Sequence, residues 1–330
     1  MHYRRFGRTN LSLSLFSLGT MRCLDSWEIF DATLRRGLDL GINHIETARG
    51  YGSSERWLGR WLQEQGRPQG LIFTTKIPPL PDRPTMAAYL EDSYRRLGGQ
   101  RIDCLALHGL NTWEHLAWVQ QPQGCMAAVR QAQAEGWIGH VGFSSHGSRS
   151  LIEAAISTGL FEFLNLHYYF FFQRHAPLID LARQQDLGIF IISPADKGGL
   201  LYTPSQTLID LCQPFTPLAL TYRWLLSQPG ITTLSTGPAQ RGELDFLPPL
   251  VDQSQPLSAL EIATLERLSQ HQGLVLGTDQ CSQCYACLPC PEDIQIPEVL
   301  RLRNLAVAFD LENFGRYRYA MFEQAGHWFP

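Results

Sequence analysis

The spacing of apolar residues changes after the first fifteen positions. Residues 3–6 and 11–15 alternate around Gly7-Arg8-Thr9-Asn10, a turn-type tetrapeptide, which predicts a β-hairpin. From Ser17 onward, short apolar runs are each followed by a stretch with helical spacing. Eight such pairs occur, with strands predicted over 16–21, 43–48, 71–77, 102–108, 138–145, 161–169, 188–195 and 231–237. Asp25 and Glu28 stand at capping-box spacing, and Trp27, Phe30, Leu34 and Leu38 form one apolar stripe behind them. Ser258 and Glu261 repeat that signal, flanked by Leu257 and Ile262 as a hydrophobic staple. Pro217 opens another helix, which Pro229-Gly230 closes.

Strands that alternate with helices imply a parallel sheet, either open or closed. Gly50-Tyr51-Gly52 has Glu55 where a dinucleotide fingerprint needs a third glycine, and no phosphate-loop motif occurs. The reading is therefore α/β: a (β/α)8 TIM barrel with an N-terminal hairpin over residues 1–276. A small cysteine-rich helical appendage follows over 277–330. Within the appendage a helix is predicted over 297–309, before an aromatic tail of Phe314, Tyr317, Tyr319, Phe322, Trp328 and Phe329.

Composition narrows the partners. With 44% hydrophobic and 18% charged residues among 330, the chain has ample material for a core. No apolar run approaches the ~18 residues of a membrane span. A net charge of −4 argues against nucleic acid and against acidic membranes, which leaves a small molecule as the expected partner. Arg4-Arg5 precedes a leucine–serine alternation that suits a strand and not the apolar core of an export signal, so a cytoplasmic location is expected.

In such a barrel the chemistry lies at the C-terminal ends of the strands. Glu46 ends the second predicted strand and Tyr51 follows it; Lys76 and His108 stand at the ends of the third and fourth. Each alone has a plainer role, as a structural ion pair or a strand-end histidine. Together they form a proton-transfer set. A tyrosine of reference pKa about 10 needs help to act as an acid, which a Lys76 ammonium held by Glu46 would supply. His108 would orient a carbonyl oxygen while hydride reaches the carbon.

These segments resemble the aldo-keto reductases over roughly residues 1–270. The residues that carry the likeness are the opening Tyr3-Arg-Arg-Phe-Gly-Arg-Thr-Asn, Leu18-Gly19-Thr20, Glu46-Thr-Ala-Arg-Gly-Tyr51-Gly, Thr75-Lys76 and Leu107-His108. The resemblance implies an NADPH-dependent carbonyl reductase with Tyr51 as general acid, Lys76 and Glu46 tuning it and His108 orienting the substrate. NADH remains open as the cofactor. The family usually has aspartate where this chain has Glu46. Carried over by motif, the cofactor contacts are Gly19, Thr20, Ser144, Ser145, Asn165, Ser193, Thr236 and Gly237, with Arg241 as candidate for a 2′-phosphate. Ile192 replaces the aromatic that normally stacks on nicotinamide, and the family's downstream Glu-Asn signature is not clear around residues 243–247.

Of eight cysteines, Cys23, Cys104, Cys125 and Cys212 are scattered and read as packing, whereas Cys281, Cys284, Cys287 and Cys290 fall within ten residues and precede Pro291. Structural zinc usually joins two separated pairs, and this run has no such separation. The tight run resembles ferredoxin segments and implies a 4Fe-4S cluster, with zinc as the alternative. With one run only, either Cys290 serves as fourth ligand or the site is incomplete. A branch of the aldo-keto reductases carries such an appendage. A one-electron redox partner belongs to that reading, and so does the second account of the whole chain: an iron-sulfur electron carrier or redox sensor on a catalytically silent barrel scaffold.

Overall fold

The computed structural model describes residues 1–196, 199–292 and 294–324. Trp328 and Phe329 of the aromatic tail lie outside the described residues. Ten strands are present among the described residues: β1 (Tyr3–Arg5), β2 (Ser12–Ser14), β3 (Phe16–Gly19), β4 (His44–Glu46), β5 (Ile72–Ile77), β6 (Ile102–Leu107), β7 (Ile138–Ser145), β8 (Phe163–His167), β9 (Gly188–Ile192) and β10 (Ile231–Thr236). The helices up to β9 are α1 (Trp27–Asp39), α2 (Ser54–Gln65), α3 (Arg83–Arg96), α4 (Trp113–Gln120), α5 (Cys125–Ala134), α6 (Arg149–Ser157) and α7 (Ala176–Gln184). After it come α8 (Gln206–Cys212), α9 (Pro217–Ser227), α10 (Ala259–Leu276), α11 (Ile296–Phe309) and α12 (Glu312–Gln324).

β3 to β10 pair in parallel and close in the order β10-β3-β4-β5-β6-β7-β8-β9, so the sheet is a barrel and not an open doubly wound array. β1 and β2 form the expected antiparallel hairpin, which carries Phe6 and Leu13 into a buried cluster with Ile72, Cys104, Ala106, Phe163 and Phe190. Ile72 and Phe163 are first residues of their strands, so the hairpin plugs the N-terminal mouth. The fit demands glycines: a Cβ on Gly188 would lie 2.3 Å from the Phe6 ring, and one on Gly7 (φ +49°) 2.1 Å from Gly188 N.

Above this plug lies a polar layer. Ser17 Oγ is 2.6 Å from His44 Nδ1 and 2.7 Å from Thr233 Oγ1, and His44 Nε2 is 2.7 Å from Thr74 Oγ1. Side chains alternate along a strand, so two residues further on the same inward positions are Gly19, Glu46, Lys76 and Ser235.

The capping box at Ser258 and Glu261 forms as expected. The cap of α1 is Ser26, not Asp25: its side chain accepts from Ile29 N–H, because the helix begins one residue later than the acidic pair suggests.

By internal contacts the chain divides into two compact units. One comprises Met1–His167, His175–Ile192 and Pro229–Gln253 and contains all eight barrel strands; the other comprises Tyr168–Arg174, Ser193–Gln228 and Ser254 onward, with α8, α9 and α10. In the second unit α11 packs against α10 and α12. A buried ionic cluster sits inside it: Arg301 meets Asp196 at 2.8 Å and Glu298 at 3.1 Å, Tyr169 donates to Asp196 at 2.7 Å, and Tyr285 donates to Glu298. The Arg174 guanidinium stacks 4.0 Å above the Tyr285 ring. No helix among the described residues is long and apolar enough to cross a membrane.

Candidate active site

The four residues picked out at strand ends converge. Lys76, at 2% exposure, donates to Glu46 Oε1, to the Thr47 carbonyl at 3.1 Å and to the Tyr51 hydroxyl at 3.3 Å. The Tyr51 ring meets the His108 ring edge-on, with centroids 5.7 Å apart. Tyr51 sits in the turn after β4, held by its own N–H on the Ala48 carbonyl at 3.0 Å and by the Ser54 N–H on its carbonyl at 2.9 Å. Lys76 is the only partner of the phenol oxygen among the described residues, and it donates, so the O–H of Tyr51 remains unspent.

Burial dominates the electrostatics. It pushes the Tyr51 phenol up to about 12. It pulls Lys76 well below the ordinary lysine value, so the Glu46 carboxylate is what favours a protonated Nζ. Burial first, and the Lys76 charge second, bring His108 down to about 3. At neutral pH the phenol therefore holds a proton to give, and the imidazole is neutral, able to donate a hydrogen bond and unable to act as a strong acid.

Residues 17–210 match the family model described as the aldo/keto reductase family. The chain belongs to that family. It is similar to L-glyceraldehyde 3-phosphate reductase of Escherichia coli (strain K12), 27% identical over 245 residues that cover 66% of this chain and 62% of that protein. It thus spans about three fifths of that relative's length. An uncharacterized oxidoreductase of Bacillus subtilis (strain 168) is 26% identical over 61% of this chain and 68% of its own. Among solved structures, the holo form of an aldo-keto reductase from Bacillus halodurans superimposes with a TM-score of 0.68 at 21% identity, over 81% of this chain and 96% of that one, which is a likeness of fold.

Members of this family generally use NAD(P)H, and one observation is consistent with a nicotinamide cofactor. Asn165 on β8 is fully buried, yet neither Oδ1 nor Nδ2 has a hydrogen-bond partner among the described residues. A buried amide left unpaired costs about 1–3 kcal/mol, and a carboxamide is the complementary group. Ser144, at 4% exposure, accepts the Gly109 N–H at 3.0 Å, which leaves its own O–H to give. Ser145 instead spends its hydroxyl on the Leu110 carbonyl at 2.6 Å, bracing the loop after β6. Thr20 and Thr236 are similarly committed, to the Glu46 carbonyl and the Ser17 carbonyl, both at 2.9 Å. Gly19 ends β3 beside Glu46, and a Cβ on Gly237 would meet nothing within 4 Å.

Arg241 is exposed, at the start of a short helical turn. The acids near it are taken: Glu243 pairs with Arg22 at 3.0 Å and Asp245 with Arg36 at 2.8 Å. Arg22 also donates to the Gly237 carbonyl at 2.8 Å and so clasps the loop after β10. Ile192 ends β9, half-buried. Ser193 follows it in the second unit with φ +51°, a left-handed conformation uncommon for serine.

Sequence reasoning missed Ser235 and Arg22. Ser235 shares the inward face of β10 with Thr233, so strand alternation could have found it. Nothing local marks Arg22, whose partners are 215 and 221 residues away.

The four scattered cysteines are buried, as expected of packing residues, and burial raises each thiol, Cys23 to about 11 and Cys212 to about 12. In the clustered run, Cys284 and Cys287 are exposed and Cys281 and Cys290 half-buried. The Gln283 N–H points at Cys281 Sγ at 3.4 Å, and the Ala286 N–H lowers the Cys284 thiol. Among the described residues, however, no three His, Cys, Asp or Glu side chains gather as an ion-holding group, so the thiols as placed do not fit a cluster or a zinc ion.

Proposed function

We propose that the protein is an NADPH-dependent reductase that turns an aldehyde or ketone into an alcohol. The observation that carries this reading is the Tyr51 hydroxyl, 3.3 Å from Lys76 Nζ with its own proton unspent. Asn165 and Ser144 would hold the nicotinamide carboxamide, and Arg241 a 2′-phosphate, which favours NADPH over NADH. Bound NADPH supplies the hydride.

His108, neutral, donates a hydrogen bond that draws the substrate oxygen toward Tyr51. As negative charge grows on that oxygen it becomes a stronger base than phenolate, and Tyr51 gives it the proton. Lys76 then stabilises the phenolate, and Glu46 holds Lys76 charged. The name of the Escherichia coli relative points to small aldehydes as the first substrates to try.

The test is NADPH consumption with a panel of small aldehydes and ketones, glyceraldehyde 3-phosphate among them. Wild-type turnover with Tyr51→Phe reduced about 10²–10⁴-fold is expected. Undiminished turnover in that variant overturns the assignment.

The cysteine run carries no step of this reaction. Its spacing argues for iron–sulfur ligation and its side-chain placement against it; iron and sulfide analysis of anaerobically prepared protein settles the matter.

A further inference from the structure

We infer that Ser235 and Gly19 are positioning residues that seat the Glu46 carboxylate, and that they are what allows a glutamate to hold Lys76. The inference rests on the reductase reading of the site and adds the device that fixes its ion pair.

Glu46 is 5% exposed, and its two oxygens part company. Oε1 accepts from Lys76, whereas Oε2 accepts from Ser235 Oγ at 3.5 Å. These are the two side-chain donors that the carboxylate has among the described residues. A buried carboxylate oxygen without a donor is costly, so the weaker contact still decides which way the group turns.

Space is the second requirement. A Cβ on Gly19 would lie 3.1 Å from Glu46 Oε2, 3.3 Å from Ser235 Oγ and 3.3 Å from the Thr236 carbonyl. The missing side chain of Gly19 is thus the gap into which the longer acid extends. Strand register builds this seat: Gly19 pairs directly with Glu46, and β10 flanks β3 on its other edge. Ser235 takes the inward position two beyond Thr233, at the level of Glu46 and Lys76.

Should the carboxylate swing away, Lys76 would keep only neutral acceptors, the Thr47 carbonyl and the Tyr51 hydroxyl, and the Tyr51 phenolate would lose the carboxylate that favours a charged lysine beside it. Ser235 touches neither substrate nor cofactor in this account; it acts through Glu46.

The experiment is a double-mutant cycle in the full-length protein with Ser235→Ala, Glu46→Asp and both together, alongside Gly19→Ala with and without Glu46→Asp. Two readouts are taken: the pH profile of kcat with NADPH and an aldehyde, and the ultraviolet tyrosinate titration of Tyr51 measured against Tyr51→Phe. Ser235→Ala alone is expected to lower kcat about tenfold with KM unchanged and to move Tyr51 ionisation upward. In the Glu46→Asp background, where the shorter acid does not reach Ser235, the same change should do neither, and the loss caused by Gly19→Ala should be relieved.

An unaltered kcat and titration in Ser235→Ala, or equal losses in both backgrounds, overturns the inference. Wild-type protein that reduces no carbonyl overturns the reductase reading instead; the titration, which needs no turnover, still reports on the seat.

Discussion

Two buried clusters in this molecule combine carboxylate, cation and tyrosine, and they differ in what each phenol proton can do. In the second unit, Tyr169 and Tyr285 donate to Asp196 and Glu298, and the Arg301 guanidinium donates to both carboxylates as well. Burial alone would lower Arg301, but the two carboxylates outweigh it and hold the charge; Tyr169 is pushed far up by burial and by Asp196. Both phenol protons there are committed. In the barrel the tyrosine faces a cation, its oxygen accepts, and its proton stays available. A buried salt bridge beside a tyrosine is therefore not in itself a sign of catalysis; the direction of the hydrogen bond on the phenol separates the two.

The largest expected contrast comes from removing each phenol. Tyr51→Phe should leave the fold intact while losing turnover, whereas Tyr169→Phe should keep kcat and lose about 1–3 kcal/mol of stability, because Asp196 loses a donor. Thermal melts beside steady-state kinetics check both, and a Tyr169→Phe protein that folds well but does not turn over would erase the distinction. Next in size, Arg301→Met should destabilise by about 3–5 kcal/mol, since it strands two buried carboxylates. Denaturant midpoints at constant m-value measure this.

The acid response belongs to the barrel. Burial brings His44 from 6.5 to about 3, as it does His108. Between those values the unfolded chain binds protons that the folded one does not. Stability is then lost as pH falls from about 6.5 toward 3, by about 1.4 kcal/mol per pH unit for each imidazole. Replacing His44 with Gln should flatten that slope by half in denaturant titrations at several pH values.

The smallest effect should come from Asn165→Ala. NADPH should bind about tenfold more weakly, worth about 1.4 kcal/mol, while the unliganded protein should melt no lower, because the amide has no partner among the described residues to lose. A lower melting temperature without cofactor would show instead that Asn165 is a structural residue.

The barrel and its mouth were legible because both follow from short-range periodicity. Strand ends fall every few tens of residues, and alternation places Glu46 and Lys76 on the inward face together. The second unit was not legible in the same way. It is assembled from three separated segments, and its central pair, Asp196 and Arg301, stands 105 residues apart with no local pattern around either. The expected appendage over 277–330 covers only part of the last segment, which starts at Ser254 and includes α10, and none of the partners that the other two bring to it. Ser26 in place of Asp25 shows the limit at short range, since neighbouring polar residues compete for one cap and a single turn of backbone decides.

If NADPH binds under the loop after β10, as proposed, the clasp made by Arg22 bears on how fast the cofactor exchanges. Its guanidinium and the Glu243 carboxylate are 49% and 37% exposed, so their attraction is worth roughly 0–1 kcal/mol and fades once the Debye length shrinks. A fastening of that strength opens about as often as thermal motion asks. Raising ionic strength should shorten the residence time of anything lying beneath the loop while leaving the proton-transfer chemistry untouched.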